Sequence, residues 1–309
     1  MPTEITVAQA IEEYKYAVLK LSPRTQKWYV ERLERFADWC AAQGLTLDKV
    51  KATHTRRYLE ELRQTPNKRT GEPLSSYTIH GHARVLKLFL KWCNKEEGFE
   101  DYVSVKATRV DMPKLDKKVV QIFTTEEIKA LQKACAKEAT PELQARSYAV
   151  VSLLYETGIR ASELCGLTLD ATYLKPGNSF IRVFGKGRKE REVGLGKDVS
   201  QALYKYIHRF RRADEKEQHT FLSRTHKPLT VYGLDQVLYR LGDWAGVEDC
   251  HAHKFRHSFA VGYLQAGGDL FDLARLMGHS TTEVTKLYLE AYSSTNARQK
   301  GISLMDNLK

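Results

Sequence analysis

Apolar residues in this chain recur three and four positions apart almost everywhere, and the period changes to an alternation in one place, the stretch FIRVFGKGRKEREVGLG that begins at Phe180. A spacing near 3.6 places side chains on one helical face, whereas a spacing of 2 places them on one face of a strand. The pattern therefore admits helices and a single β-hairpin, with Gly185-Lys186-Gly187 at its turn. The expected fold class is mainly α with a small β-sheet.

Four amphipathic windows come first: VAQAIEEYKYAVLKL, TQKWYVERLERFADWCAAQG, HTRRYLEELRQ and SSYTIHGHARVLKLFLKWCNKE. Ser22 and Pro23 open the second, Gly44 closes it, and Ser75 and Ser76 cap the fourth. The polar connection LRQTPNKRTGEPLSS is a loop. Residues 1–102 thus read as a four-helix domain. Residues 103–119, with SVKATRVDMPKLDKK at their heart, show no period and contain Pro113, and read as an interdomain linker. A second domain, 120–309 with a C-terminal tail, opens on a capping box from Thr124 to Glu127. The mostly apolar LQARSYAVVSLLYETG follows as a buried helix ended by Gly158. Beyond the hairpin, VSQALYKYIHRFRRADEK, LTVYGLDQVLYRLGDWAG, KFRHSFAVGYLQAGG and DLFDLARLMG return to helical spacing. STTEVTKLYLEAY opens on a second capping box, Ser280 to Glu283.

A length of 309 residues fits two domains. The net charge of +11 and pI near 9.3 point to a polyanionic partner. That charge is spread: residues 1–117 hold 21 basic and 16 acidic residues, net +5, and the rest supplies +6. Cys40, Cys93, Cys135, Cys165 and Cys250 form no CxxC pair, which fits buried thiols in a reducing cytosol. Neither a signal peptide nor a run of about 18 apolar residues is present, so a cytoplasmic, nucleoid-associated protein without a membrane is expected.

Residues 250–257, CHAHKFRH, carry two opposed readings. Cys250, His253 and His257 have the spacing of metal ligands, but a structural zinc site wants a fourth ligand, and Lys254 and Arg256 set two cations beside it. Alternatively His253, Lys254, Arg256 and His257 gather round a phosphate. Arg160, in YETGIRASELCGL, follows the Gly158 break where a new helix begins, a place suited to an anion. Glu163, three residues on, can hold Arg160, either as a surface ion pair or as part of a site. His279 falls in the turn after Gly278, and Tyr288 shares an apolar i, i+3, i+4 stripe with Val284 and Leu287. That stripe fits core packing, and residues 269–290 also fit a DNA-reading helix-turn-helix.

Taken together, TGIRASEL, FGKGRK, His253-Lys-Phe-Arg256 and GHSTTEVTKLY resemble, in the same order, the motifs of the tyrosine recombinase (phage integrase) family, with Tyr288 nine positions after His279. The resemblance runs by motif from Thr124 to about Tyr292, and the four-helix start matches the family's core-binding domain in layout. Phe255 and Met277 stand where leucine is common. The resemblance implies an α+β catalytic domain of the simple, Xer-like two-domain type. It assigns Tyr288 as nucleophile, forming a 3′-phosphotyrosine bond, Arg160 and Arg256 as the phosphate clamp, and His253 as acid/base. It further assigns Lys186 as donor to the leaving 5′-oxygen, His279 as a phosphate ligand and Glu163 as a support. His257 and Cys250 are expected as structural neighbours. Neither metal nor cofactor is implied, and the chain has no GxxxxGK[ST] phosphate loop. The implied partners are double-stranded DNA, further copies in a tetramer, and in some systems an accessory protein. A non-enzymatic DNA-binding regulator and a type IB topoisomerase-like relaxing enzyme are the rival expectations.

Overall fold

The computed structural model describes residues 4–67, 70–116, 120–185, 190–212, 216–278 and 288. The chain divides into two compact units, Met1–Lys118 and Val119–Lys309.

In the first unit, helices α1 (Val7–Ala17), α2 (Pro23–Ala42), α3 (Ala52–Gln64) and α4 (Ser76–Cys93) follow the four amphipathic windows. Their starts are chemical. The hydroxyl of Ser22 accepts from the Thr25 N–H with Pro23 at the first helical position, and Ser75 accepts from Thr78. Phe36, Tyr58, Phe89 and Leu86 fill the centre. Val103, Ala107 and Val110 are buried in this same core, although the stretch they belong to is turns rather than helix. Polar neighbours hide that i, i+4, i+7 stripe in the sequence.

In the second unit, α5 (Thr125–Ala134) starts at the Thr124–Glu127 capping box, with both reciprocal bonds formed. The central helix α6 (Pro141–Thr157) buries Ala149, Val150, Val151, Leu153 and Leu154 and stops at Gly158, whose φ of 57° lies in the left-handed region. The short α7 (Ala161–Cys165) follows. Three antiparallel strands in the order β1-β2-β3 form the sheet: β1 (Thr172–Tyr173), β2 (Phe180–Phe184) and β3 (Glu190–Gly194), with Ile181 opposite Val193. The hairpin matches the alternating stretch, while β1, two residues long, is too short to alternate. Helix α8 (Lys197–Lys205) runs into a π turn, Tyr206–Phe210. Then come α9 (Val231–Ala245), α10 (Ala252–Gln265) and α11 (Leu270–Met277). The mainly α fold with a small sheet is the one that the hydrophobic period implies. Lys186, and the Ser280–Glu283 pair, lie outside the described residues.

All five cysteines are buried and free, and burial pushes each thiol up to about 12. No described helix is long and apolar enough to cross a membrane.

Candidate active site

The site gathers where three helix ends meet. At the start of α7, Arg160 takes an extended N-cap conformation, so its backbone N–H and its guanidinium both face Glu163. The N–H donates to Glu163 Oε2 at 2.8 Å and Nη1 donates to Oε1 at 2.8 Å. The Glu163 side chain is only 2% exposed. From β3, Arg191 closes on the same carboxylate, Nη1 to Oε1 at 2.9 Å and Nη2 to Oε2 at 2.7 Å, while its Nε donates to the Leu276 carbonyl at 2.6 Å. Burial alone raises the Glu163 pKa, but hydrogen bonds from Arg191 and the Arg160 backbone outweigh it and hold the carboxyl below its ordinary value.

Arg256, one turn into α10, is buried and donates Nη1 to the Gly158 carbonyl at 2.7 Å and Nη2 to the Met277 carbonyl at 2.6 Å. Arg160 Nη2 donates to the Gly278 carbonyl at 3.0 Å. The acceptors are the last carbonyls of α6 and α11, groups that lack helical partners and carry the negative end of the helix dipole. Two cations are thus fixed side by side. Burial first, and the Arg160 charge next, push the Arg256 pKa down to about 10. A Cβ at Gly278 would sit 3.0 Å from Arg191 and 3.3 Å from Arg160, so the turn needs its glycine.

Tyr288 is 3% exposed and packs with Ala260, Val261, Leu264, Leu273 and Met277. Its OH nevertheless has a polar partner, 2.9 Å from His257 Nδ1. Burial raises its pKa, opposed by the positive charges of Arg256 and Arg160. Burial first, then the neighbouring His253, His251 and Arg256, lower His257 to about 4, so it is neutral at physiological pH. The His253 ring lies edge-on to His257 with centroids 4.9 Å apart, and one side of it is open to solvent. Desolvation by the surrounding protein, then Arg256, His251 and Arg160, lower its pKa as well.

Arg160, Glu163, His253, Arg256 and Tyr288 therefore come together in the second unit. Lys186 and His279 lie outside the described residues. Within CHAHKFRH, two expectations change. Lys254 turns away from any phosphate: its Nζ donates to the Glu248 carbonyl at 3.0 Å and lies 4.5 Å from the Phe123 ring centre. Cys250 packs in the core against Gly242, and among the described residues no His, Cys, Asp and Glu group could hold a metal ion. His257 is no bystander, because it carries the Tyr288 hydrogen bond. Two site residues escaped the sequence reading, His257 in this role and Arg191. Strand phase could have found Arg191, since it shares the inward face of the strand with buried Val193. His257 had only its i+4 spacing from His253 to offer.

A model of the phage integrase family matches residues 121–294, and one of the phage integrase N-terminal SAM-like domain matches residues 11–71. The tyrosine recombinase XerC of Oceanobacillus iheyensis is 30% identical over 304 residues, 94% of this chain and 95% of the relative. The tyrosine recombinase XerD of Corynebacterium glutamicum is 31% identical over 274 residues, 87% of this chain and 88% of the relative. Among solved structures, the XerH site-specific recombinase bound to a palindromic difH substrate in a post-cleavage complex superposes with a TM-score of 0.77 at 19% identity, covering 94% of this chain and 83% of that one. The Tn1549 transposon integrase in complex with transposon right end DNA gives 0.73 at 17% identity, covering 96% of this chain and 100% of that one. At those identities the two structures speak to the fold. The family match, covering more than half of the chain, and the relatives aligned along most of it carry the assignment: this chain belongs to the phage integrase family of tyrosine recombinases.

Proposed function

We propose that the protein is a site-specific DNA recombinase that cuts and rejoins duplex DNA through a covalent 3′-phosphotyrosine at Tyr288, with no metal or nucleotide cofactor. One observation carries the reading. Arg160 and Arg256 are like charges held side by side by Glu163 and by helix-end carbonyls, in the pocket that contains a tyrosine hydroxyl. Three guanidiniums, Arg160, Arg191 and Arg256, surround the one carboxylate of Glu163, and a phosphodiester would offset the excess charge while offering two non-bridging oxygens to planar forks.

Charge that builds on a five-coordinate phosphorus is stabilised by donors already in place, the service metal ions perform in other phosphoryl-transfer enzymes. Because one phosphate ester replaces another, the bond energy is retained through the intermediate. His253 is the acid/base candidate on the open side of the pocket. Lys186 protonates the leaving 5′-oxygen, and His279 hydrogen-bonds the phosphate; both roles rest on the family resemblance. Double-stranded DNA is the partner, joined by further copies in a tetramer, with an accessory protein in some settings. The biological task is integration or excision of a mobile element, or resolution of chromosome dimers. Near end-to-end alignment with Xer relatives supports the simple two-domain type.

The test is a duplex nicked beside the crossover, drawn from sequences flanking the gene, incubated in EDTA with wild type and Tyr288→Phe. A protein–DNA adduct that survives denaturation in wild type and is absent in Tyr288→Phe is the expected result. Cognate binding without an adduct would turn the assignment towards a DNA-binding regulator. Relaxation of supercoiled plasmid without strand exchange would favour a topoisomerase-like activity.

A further inference from the structure

We propose that His257 is the residue that orients the Tyr288 hydroxyl and takes up its proton as the phosphodiester is attacked. The inference rests on Tyr288 being the nucleophile. It differs from the expectation that His253, in the family motif, is the acid/base beside the nucleophile.

The geometry is direct. The separation of 2.9 Å between Tyr288 Oη and His257 Nδ1 is that of a hydrogen bond and within reach of proton transfer. The rings stand 5.5 Å apart at 54°, and the tyrosine is almost wholly enclosed. His257 also sits between two anchored residues of α10. Its predecessor Arg256 clamps the Gly158 and Met277 carbonyls. Its successor Ser258 accepts the Phe123 N–H at 2.8 Å and donates to the Lys254 carbonyl at 2.8 Å. A ring between two such anchors holds the phenol in one place.

The chemistry suits the position. The groups that face His257 are the His253, His251 and Arg256 side chains of its own helix region and the Tyr288 hydroxyl, with Arg160 acting on Tyr288 from the turn after α6. A neutral imidazole protonated at Nε2 leaves Nδ1 to accept from the phenol. In the reaction, Tyr288 Oη bonds to phosphorus and the bond from phosphorus to the 5′-oxygen breaks. The phenolic proton passes to Nδ1, and the 5′-oxygen takes a proton from the leaving-group donor. On rejoining, His257 returns the proton to Oη. Burial is the larger cause of the weakened His257 base, and the charge of Arg256 is the part that a bound phosphodiester offsets.

The experiment compares wild type with His257→Phe and His257→Asn on the nicked duplex, measuring DNA affinity and the single-turnover rate of adduct formation from pH 6 to pH 10. Phe preserves ring volume, and Asn can accept the hydrogen bond near the Nδ1 position without taking the proton. We expect DNA affinity close to wild type and adduct formation slowed roughly 10²–10⁴-fold near neutral pH in both variants. That deficit narrows as pH rises, because the fraction of phenolate formed without a base grows about tenfold per pH unit below the raised Tyr288 pKa. A substrate with sulfur in place of the leaving 5′-oxygen, which needs no protonation, should leave the deficit intact. If His257→Phe does not bind DNA, His257→Asn alone decides. Rates within threefold of wild type in whichever variant binds would overturn the inference, and so would a deficit that the sulfur leaving group relieves or that persists unchanged to pH 10. Absence of any wild-type adduct on bound cognate DNA defeats the Tyr288 reading itself, which keeps the two failures distinct.

Discussion

Glu163 is a buried carboxylate shared by two guanidiniums, and the position of Arg160 depends on it. Removing one partner of a buried, hydrogen-bonded charge pair costs about 3–5 kcal/mol, because the charge left behind stays desolvated. Glu163→Gln should therefore lower the free energy of unfolding by about that amount in urea titrations, and slow adduct formation by loosening Arg160. A midpoint unchanged within error would show that the carboxylate is dispensable. Much of this was legible residue by residue. The three-residue step from Arg160 to Glu163 forecast their pairing, but the burial that turns a surface ion pair into a fixed clamp depends on Arg191, delivered by a strand across the fold. His257 and Tyr288 are 31 positions apart, and local spacing cannot reveal which histidine of CHAHKFRH meets the hydroxyl.

Elements were more legible than contacts where they begin and end by chemistry. Capping hydroxyls at Ser22, Ser75 and Thr124 and the left-handed glycine at Gly158 mark helix ends without help from tertiary structure. Elements too short to show a period, β1 and the π turn after α8, did not announce themselves. Gly158 joins both kinds of constraint: its φ is +57°, an added Cβ would meet Phe259 at 2.5 Å, and its carbonyl accepts from Arg256. Gly158→Ala is expected to cost about 2–4 kcal/mol, combining the left-handed penalty with overpacking. Gly246→Ala is the comparison, since φ is +67° but nothing lies within 4 Å, and it should cost about 1–2 kcal/mol. Equal losses in chemical denaturation would mean that the Phe259 contact yields freely.

Across the whole molecule, each unit encloses a histidine held neutral. In the first, burial and then the charges of Arg32 and Arg35 lower His82 to about 4, with its Nδ1 3.1 Å from the Tyr58 hydroxyl. In the second, His257 is lowered to about 4. Above the unfolded value of about 6.5 both states are neutral and these groups contribute nothing to the pH dependence. Between about 6.5 and 4 the unfolded chain binds protons that the native chain refuses, so stability falls with falling pH and the loss levels off near pH 4. Urea midpoints at pH 7.5, 6 and 5 should decline in that order, and less so in His82→Phe; a flat series would contradict the native environment of both rings. At this scale the sequence was informative about class, because period, charge and motif order agree, and silent about which buried groups titrate.

The five cysteines bear on how the protein can be watched at work. With each thiol enclosed and its pKa near 12, thiolate is scarce at neutral pH and access for an electrophile is poor. A cysteine introduced at an exposed position such as Tyr232, 74% accessible, stands as the reactive thiol of an otherwise unaltered chain. A maleimide fluorophore then reports from one known point, and strand exchange can be followed molecule by molecule without first rebuilding the core to remove its native sulfur.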